Sequence, residues 1–94
     1  MNAPVAIIGM SGVFPLAPDL DAFHRNLLEG VDAVRTIPTE RLWFSTLPDV
    51  EYPPAACLDR IDLFDPRAFG LSLREAELMD PHQRMTMQLV CKAI

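Results

Sequence analysis

The apolar run Val5-Ala6-Ile7-Ile8-Gly9-Met10 has no polar residue at alternate positions. A strand with one wet face alternates, so this pattern predicts a strand covered on both faces, as in a mainly parallel sheet flanked by helices. Ser11-Gly12 turns the chain, and Pro15 and Pro18 break it before Asp19. Asp19 is a predicted N-cap, Leu20, Phe23 and Leu27 then share one helical face, and Gly30 closes the helix. A second short extended segment is expected at Ala33 to Ile37. Pro38 ends it, because its ring removes a donor and biases Ile37 toward extended geometry.

Between 41 and 57, Pro48, Pro53 and Pro54 are interspersed with Trp43, Phe44 and Tyr52, which predicts an ordered loop packed by aromatics. Leu58 to Phe69 is rich in turn signals, with Asp65-Pro66 opening a short helical turn that carries Phe69 inward. Two helix starts then follow back to back. Ser72 and Glu75 have the spacing of a capping box, and Asp80-Pro81 with Gln83 supplies an N-cap and a proline in the first helical position. Helices are expected over about 73–79 and 81–94, the second with Met85, Leu89 and Ala93 on one face. No glycine, asparagine or proline closes that second helix, so the pattern is expected to continue past Ile94. No repeat or linker divides the chain.

Composition narrows the classes of function. With 94 residues, 50% of them hydrophobic, the chain has material for a modest core. Eight basic against thirteen acidic residues give a net charge of −5, which argues against nucleic acid or an anionic membrane surface as a partner. The longest apolar run is too short to span a bilayer, and the opening residues lack the basic start and long apolar stretch of a signal peptide. A cytoplasmic protein with its two cysteines, Cys57 and Cys91, reduced is the expectation.

No candidate chemistry survives inspection. Gly9-Met10-Ser11-Gly12 follows a predicted strand but lacks a third glycine and meets Pro15 before any helix, so it reads as a turn and not as a phosphate cradle. Cys57, beside Ala55 and Ala56, reads as a small packing residue, and Cys91 as a core or interface residue. His24 and His82 have no ligand spacing with the cysteines, which gives metal binding little support. Asp59, Asp62 and Asp65 lack the central glycine and distal glutamate of a calcium loop and are expected in caps and turns. Arg74 and Arg84 are expected to form structural ion pairs with Glu75, Glu77 and Asp80.

The string Phe69-Gly70-Leu71-Ser72-Leu73-Arg74-Glu75-Ala76-Glu77-Leu78-Met79-Asp80-Pro81-His82-Gln83-Arg84 resembles the F-G-x-S-x-R-E-A-x-x-M-D-P-x-Q-R segment of β-ketoacyl synthases (ketosynthases) from modular type I polyketide synthases. Val5 to Pro15 is similar to the opening A-I-I-G-M-x-x-x-F-P of that family. Asp19 to Phe23, Gly30 to Val34, Ile37 to Arg41 and Leu58 to Pro66 follow in the same order. The motif positions that carry the resemblance are Gly9, Asp19, Ser72, Arg74, Glu75, Asp80, Pro81, Gln83 and Arg84. Leu16 stands where the family commonly has glycine and Leu73 where it has proline, and the loop before Leu58 is shorter. Ala76, Glu77 and Leu78 occupy positions that are basic in dissociated fatty acid synthases, which fits a modular synthase whose carrier is tethered.

The resemblance implies a thiolase-like α/β fold, of which residues 1–94 would be the N-terminal portion, with one core strand, amphipathic helices and the proline/aromatic loop. It implies an intact enzyme that moves an acyl group from a phosphopantetheine thioester to a cysteine, then condenses it with a malonyl-type extender on an acyl carrier protein, with loss of carbon dioxide. The family's nucleophilic cysteine lies in T-A-C-S-S and a histidine in H-G-T-G-T; neither Cys57 in Ala55-Ala56-Cys57-Leu58 nor His24 or His82 matches. This chain is accordingly expected to hold no catalytic, cofactor or metal residue and to act as scaffold. Its expected partners are the remainder of the domain, the carrier protein and, in the intact enzyme, a second subunit. The alternative is a non-catalytic docking or assembly module built on the same scaffold.

Overall fold

The computed structural model describes residues 2–42 and 50–94. Their elements are α1 (Leu20–Glu29), a 3₁₀ turn at Thr39–Arg41, a second at Pro66–Phe69, α2 (Leu73–Leu78) and α3 (Pro81–Ala93). The chain divides into two compact units, Val13–Asp59 and the N-terminal segment through Gly12 together with Arg60–Ile94. Trp43 and Phe44, on which the proline/aromatic loop reading partly rests, lie outside the described residues.

Within Val13–Asp59, Phe14 and Ala17 exchange both backbone hydrogen bonds, at 2.8 and 2.9 Å, around Pro15-Leu16. Proline at the first central position and a positive φ at the second are the marks of a type II turn, and Leu16 has φ 59°. A side chain there is strained, because its Cβ crowds the following carbonyl. The Asn26 Nδ2 group donates to the Leu16 carbonyl at 2.9 Å, and the Phe14 and Phe23 rings stack with centroids 3.9 Å apart. These contacts seat the turn on α1.

Asp19 caps α1 as predicted, its carboxylate accepting the Ala22 N–H at 2.8 Å. Gly30, at φ 67°, ends the helix: its N–H donates to Leu27 O and that of Val31 to Asn26 O, a Schellman motif. The inward face differs from the predicted one. Leu20 and Phe23 are half-buried, but Leu27 is 64% exposed and Asn26 takes the inward place, because its amide is needed under the Pro15-Leu16 turn.

The predicted extended segment at Ala33–Ile37 contracts to a single antiparallel bridge between Arg35 and Ala55. Local chemistry stops it from lengthening. The Asp32 carboxylate takes the Val34 N–H at 2.9 Å, Pro38 has no donor, and Pro53 and Pro54 remove donors beside Ala55.

In the other unit, Asp65 accepts the Arg67 N–H at 3.0 Å and starts the second 3₁₀ turn. Phe69 packs on Phe64 with ring centroids 5.1 Å apart, the inward placement expected. Gly70, at φ 66°, closes this turn with a second Schellman pair, Gly70 N–H to Arg67 O and Leu71 N–H to Pro66 O. The capping box of α2 is complete: Ser72 Oγ accepts the Glu75 N–H at 3.2 Å, and Glu75 Oε2 accepts the Ser72 N–H at 2.7 Å. Ala76 at 4% and Ala17 at 2% exposure are the buried hydrophobic residues among those described.

Val5–Met10 does not form the predicted strand. Among the described residues no backbone group of 4–12 hydrogen-bonds to another backbone group, and the bridges present lie elsewhere. A two-face-covered strand is defined by its neighbours, and the described residues provide none.

Candidate assembly surface

The uncovered segment lies against the C-terminal end of α3. Met85, Leu89 and Ala93, the predicted face of α3, are half-buried, and the Ser11 hydroxyl donates to the Leu89 carbonyl. Gln88, one turn before the helix end, donates to Leu63 O at 3.1 Å. Gly9 is required here for a steric reason. A Cβ at this position would overlap the Ala93 carbonyl, whereas the positive-φ glycines are Gly30 and Gly70. The turn reading of Gly9 is therefore corrected to close approach between two backbones.

Around that contact, Ile7, Ile8, Gly9, Val90, Ala93 and Ile94 line an open apolar cleft of about 340 Å³. The flanking side chains point into solvent: Ile8 is 98% and Val5 92% exposed. Both parities of the segment are uncovered, since Ile7 and Met10 are exposed as well. Burying a side chain of this size is worth about 1.5–3 kcal/mol, and a contiguous exposed apolar patch is a candidate interaction surface. The sequence shows the apolar run but not the cleft beside it, because no local signal places Val90 and Ile94 next to Ile7.

Within the motif from Ser72 to Arg84, Ser72 and Glu75 cap one helix, and Asp80 with Pro81 starts the next. Hydrogen bonds from the Ser72 backbone N–H and then its hydroxyl hold the Glu75 carboxyl below its ordinary value of 4.5. Asp80 is held below its ordinary 3.8 by the His82 backbone N–H, then by the His82 ring, with the charge of Arg84 adding to it. Pro81 takes the first helical position, and the Gln83 side chain makes no hydrogen bond among the described residues. The predicted ion pairs of Arg74 and Arg84 do not form. Glu75 is folded back onto Ser72 and Asp80 onto His82, so neither carboxylate is aimed at an arginine. Arg84 Nε is buried and has no hydrogen-bond partner among the described residues.

The remaining candidates disperse. Cys57 is half-buried and Cys91 exposed, so Cys91 is not a core residue among the described residues; both thiols are free. His24 is exposed and makes no hydrogen bond among the described residues, while His82 contacts Asp80 at 3.1 Å. Asp59 pairs with Arg35 at 2.8 Å, Asp62 with Arg60 at 2.6 Å, and Asp65 caps its helical turn. Only the last of these is the predicted capping role. The described residues contain no group of three or more metal-ligating side chains, and none of their helices is long and apolar enough to cross a membrane.

Residues 2–94 match the family described as beta-ketoacyl synthase, N-terminal domain. The chain is 37% identical to a polyketide synthase of Bacillus subtilis (strain 168), PksN, over 97% of its own length and 2% of that protein's. It is 40% identical to polyketide synthase 2 of Metarhizium guizhouense, covering 99% of this chain and 5% of the relative. Among solved structures, it resembles the ketosynthase from module 6 of the bacillaene synthase of Bacillus subtilis 168, with a TM-score of 0.81 and 39% identity. That match covers 94% of this chain and 15% of the ketosynthase. The oxazolomycin ketosynthase domain OzmH KS7 of Streptomyces albus JA3453 gives 0.76 at 34% identity, over 89% and 16% of the two chains. The chain thus spans a small part of each of these relatives. The match over residues 2–94 and the likeness to solved ketosynthases show that the chain belongs to the beta-ketoacyl synthase N-terminal domain family, as the N-terminal portion of a polyketide ketosynthase of thiolase-like fold.

Proposed function

We propose that this chain is the scaffold portion of a cytoplasmic polyketide β-ketoacyl synthase and that the rest of that domain, in the same or a second polypeptide, supplies the catalytic cysteine and histidines. In the intact enzyme the cysteine thiolate displaces a phosphopantetheine thiol to form an acyl-enzyme thioester. Loss of carbon dioxide from a carrier-bound malonyl-type extender then leaves a carbanion equivalent, which attacks that thioester, forms the carbon–carbon bond and releases the cysteine. The acyl carrier protein and a second subunit complete the proposed assembly. The observation that carries this reading is the uncovered Val5–Met10 segment, in a chain that matches ketosynthases along nearly its whole length and fills 15% of one.

The test is to co-express the 94-residue chain with the complementary portion of the bacillaene module 6 ketosynthase. Co-elution on size exclusion is expected, and, once a phosphopantetheine acyl thioester is added as donor, an acyl-cysteine adduct in the intact mass of the complementary portion. A monodisperse 94-residue chain that melts cooperatively and ignores the complementary portion would overturn the proposal in favour of a non-catalytic docking module.

A further inference from the structure

We draw no further inference here: the strongest candidate, the apolar cleft between the Val5–Met10 segment and the C-terminal end of α3, belongs to the surface already described, and its occupant is the ketosynthase remainder already proposed.

Discussion

The stretch from Ser72 to Ala93 and the stretch from Val5 to Met10 carry equally clear sequence patterns and reach opposite ends. In the first, Ser72 and Glu75 at one helix start and Asp80 at the next each meet an orphan backbone group two or three residues away. In the second, the side chains are as apolar as a core strand requires, yet Ile8 remains 98% exposed and the backbone is unpaired among the described residues. A cap is satisfied by its own neighbours in sequence. A strand is satisfied only by another segment of chain, and what that segment is cannot be written into the strand itself.

The sharpest way to break this comparison is at Ile8. Ile8→Ala should leave the far-ultraviolet circular dichroism and melt of the chain alone unchanged, because the side chain touches little, while weakening binding to the complementary ketosynthase portion. Removing a buried isoleucine costs about 2–5 kcal/mol, or at least about 30-fold in affinity. Isothermal titration calorimetry reads the second effect. Equal affinity of both variants would mean that the segment stays uncovered in the assembly and that the contrast drawn above is mistaken.

Gly9→Ala probes the point where the uncovered segment meets a capped helix. The added methyl group has to push the Ala93 carbonyl away, an overpacking cost of about 1–3 kcal/mol. Amide hydrogen exchange should quicken at the last turn of α3, around Val90 to Ile94, and stay as it was in α1, whose caps are independent of Gly9. Unchanged exchange in α3 would show that the two backbones do not approach.

How much of this was legible follows the same division. Asp19, Gly30, Ser72 and Asp80 were readable because each acts on a residue two to five positions away. Gly70 carries the signal of a stop, one residue past Phe69, and closes the 3₁₀ turn there. The inward turn of Asn26 was not readable, since it depends on Leu16 ten residues earlier. Pairing Arg74 and Arg84 with nearby acids failed for a specific reason: helical spacing says which groups are neighbours, and capping had already claimed Glu75 and Asp80. The thiolase-like architecture was reached by resemblance and not by counting elements, because the described residues form three helices and no sheet.

Leu16 joins the two kinds of information. In the ketosynthase opening that this segment resembles, its position is commonly glycine, and the backbone suits that residue: φ is 59° at the second central residue of a type II turn. Leu16→Gly should therefore stabilise Val13–Asp59 by about 1 kcal/mol, the left-handed penalty less the extra freedom glycine brings to the unfolded chain. A denaturant melt compared with that of Leu16→Ala, which keeps the Cβ and the strain, measures it. A gain in the alanine variant as large as in the glycine one would locate the cost in the leucine side chain and not in the backbone.

The smallest effect expected is one of pH on the two caps. Both Glu75 and Asp80 titrate below their ordinary values, 4.5 and 3.8, because hydrogen bonds favour the charged carboxylates. A depressed folded-state pKa contributes stability that is fully present above the ordinary values and is lost as pH falls through the folded ones. Helix content at α2 and α3 should accordingly hold from neutrality to about pH 5 and decline below pH 4. Glu75→Gln keeps an acceptor that reaches back to the Ser72 N–H but removes the titration. In that variant the amide resonances of Leu73 to Leu78 should lose their acid-range shift in a nuclear magnetic resonance titration, while those of Pro81's helix, capped by Asp80, keep theirs. Persistence of both transitions would place the acid sensitivity outside the capping box, and the self-sufficiency ascribed to Ser72–Leu78 would then rest on the hydroxyl of Ser72 alone.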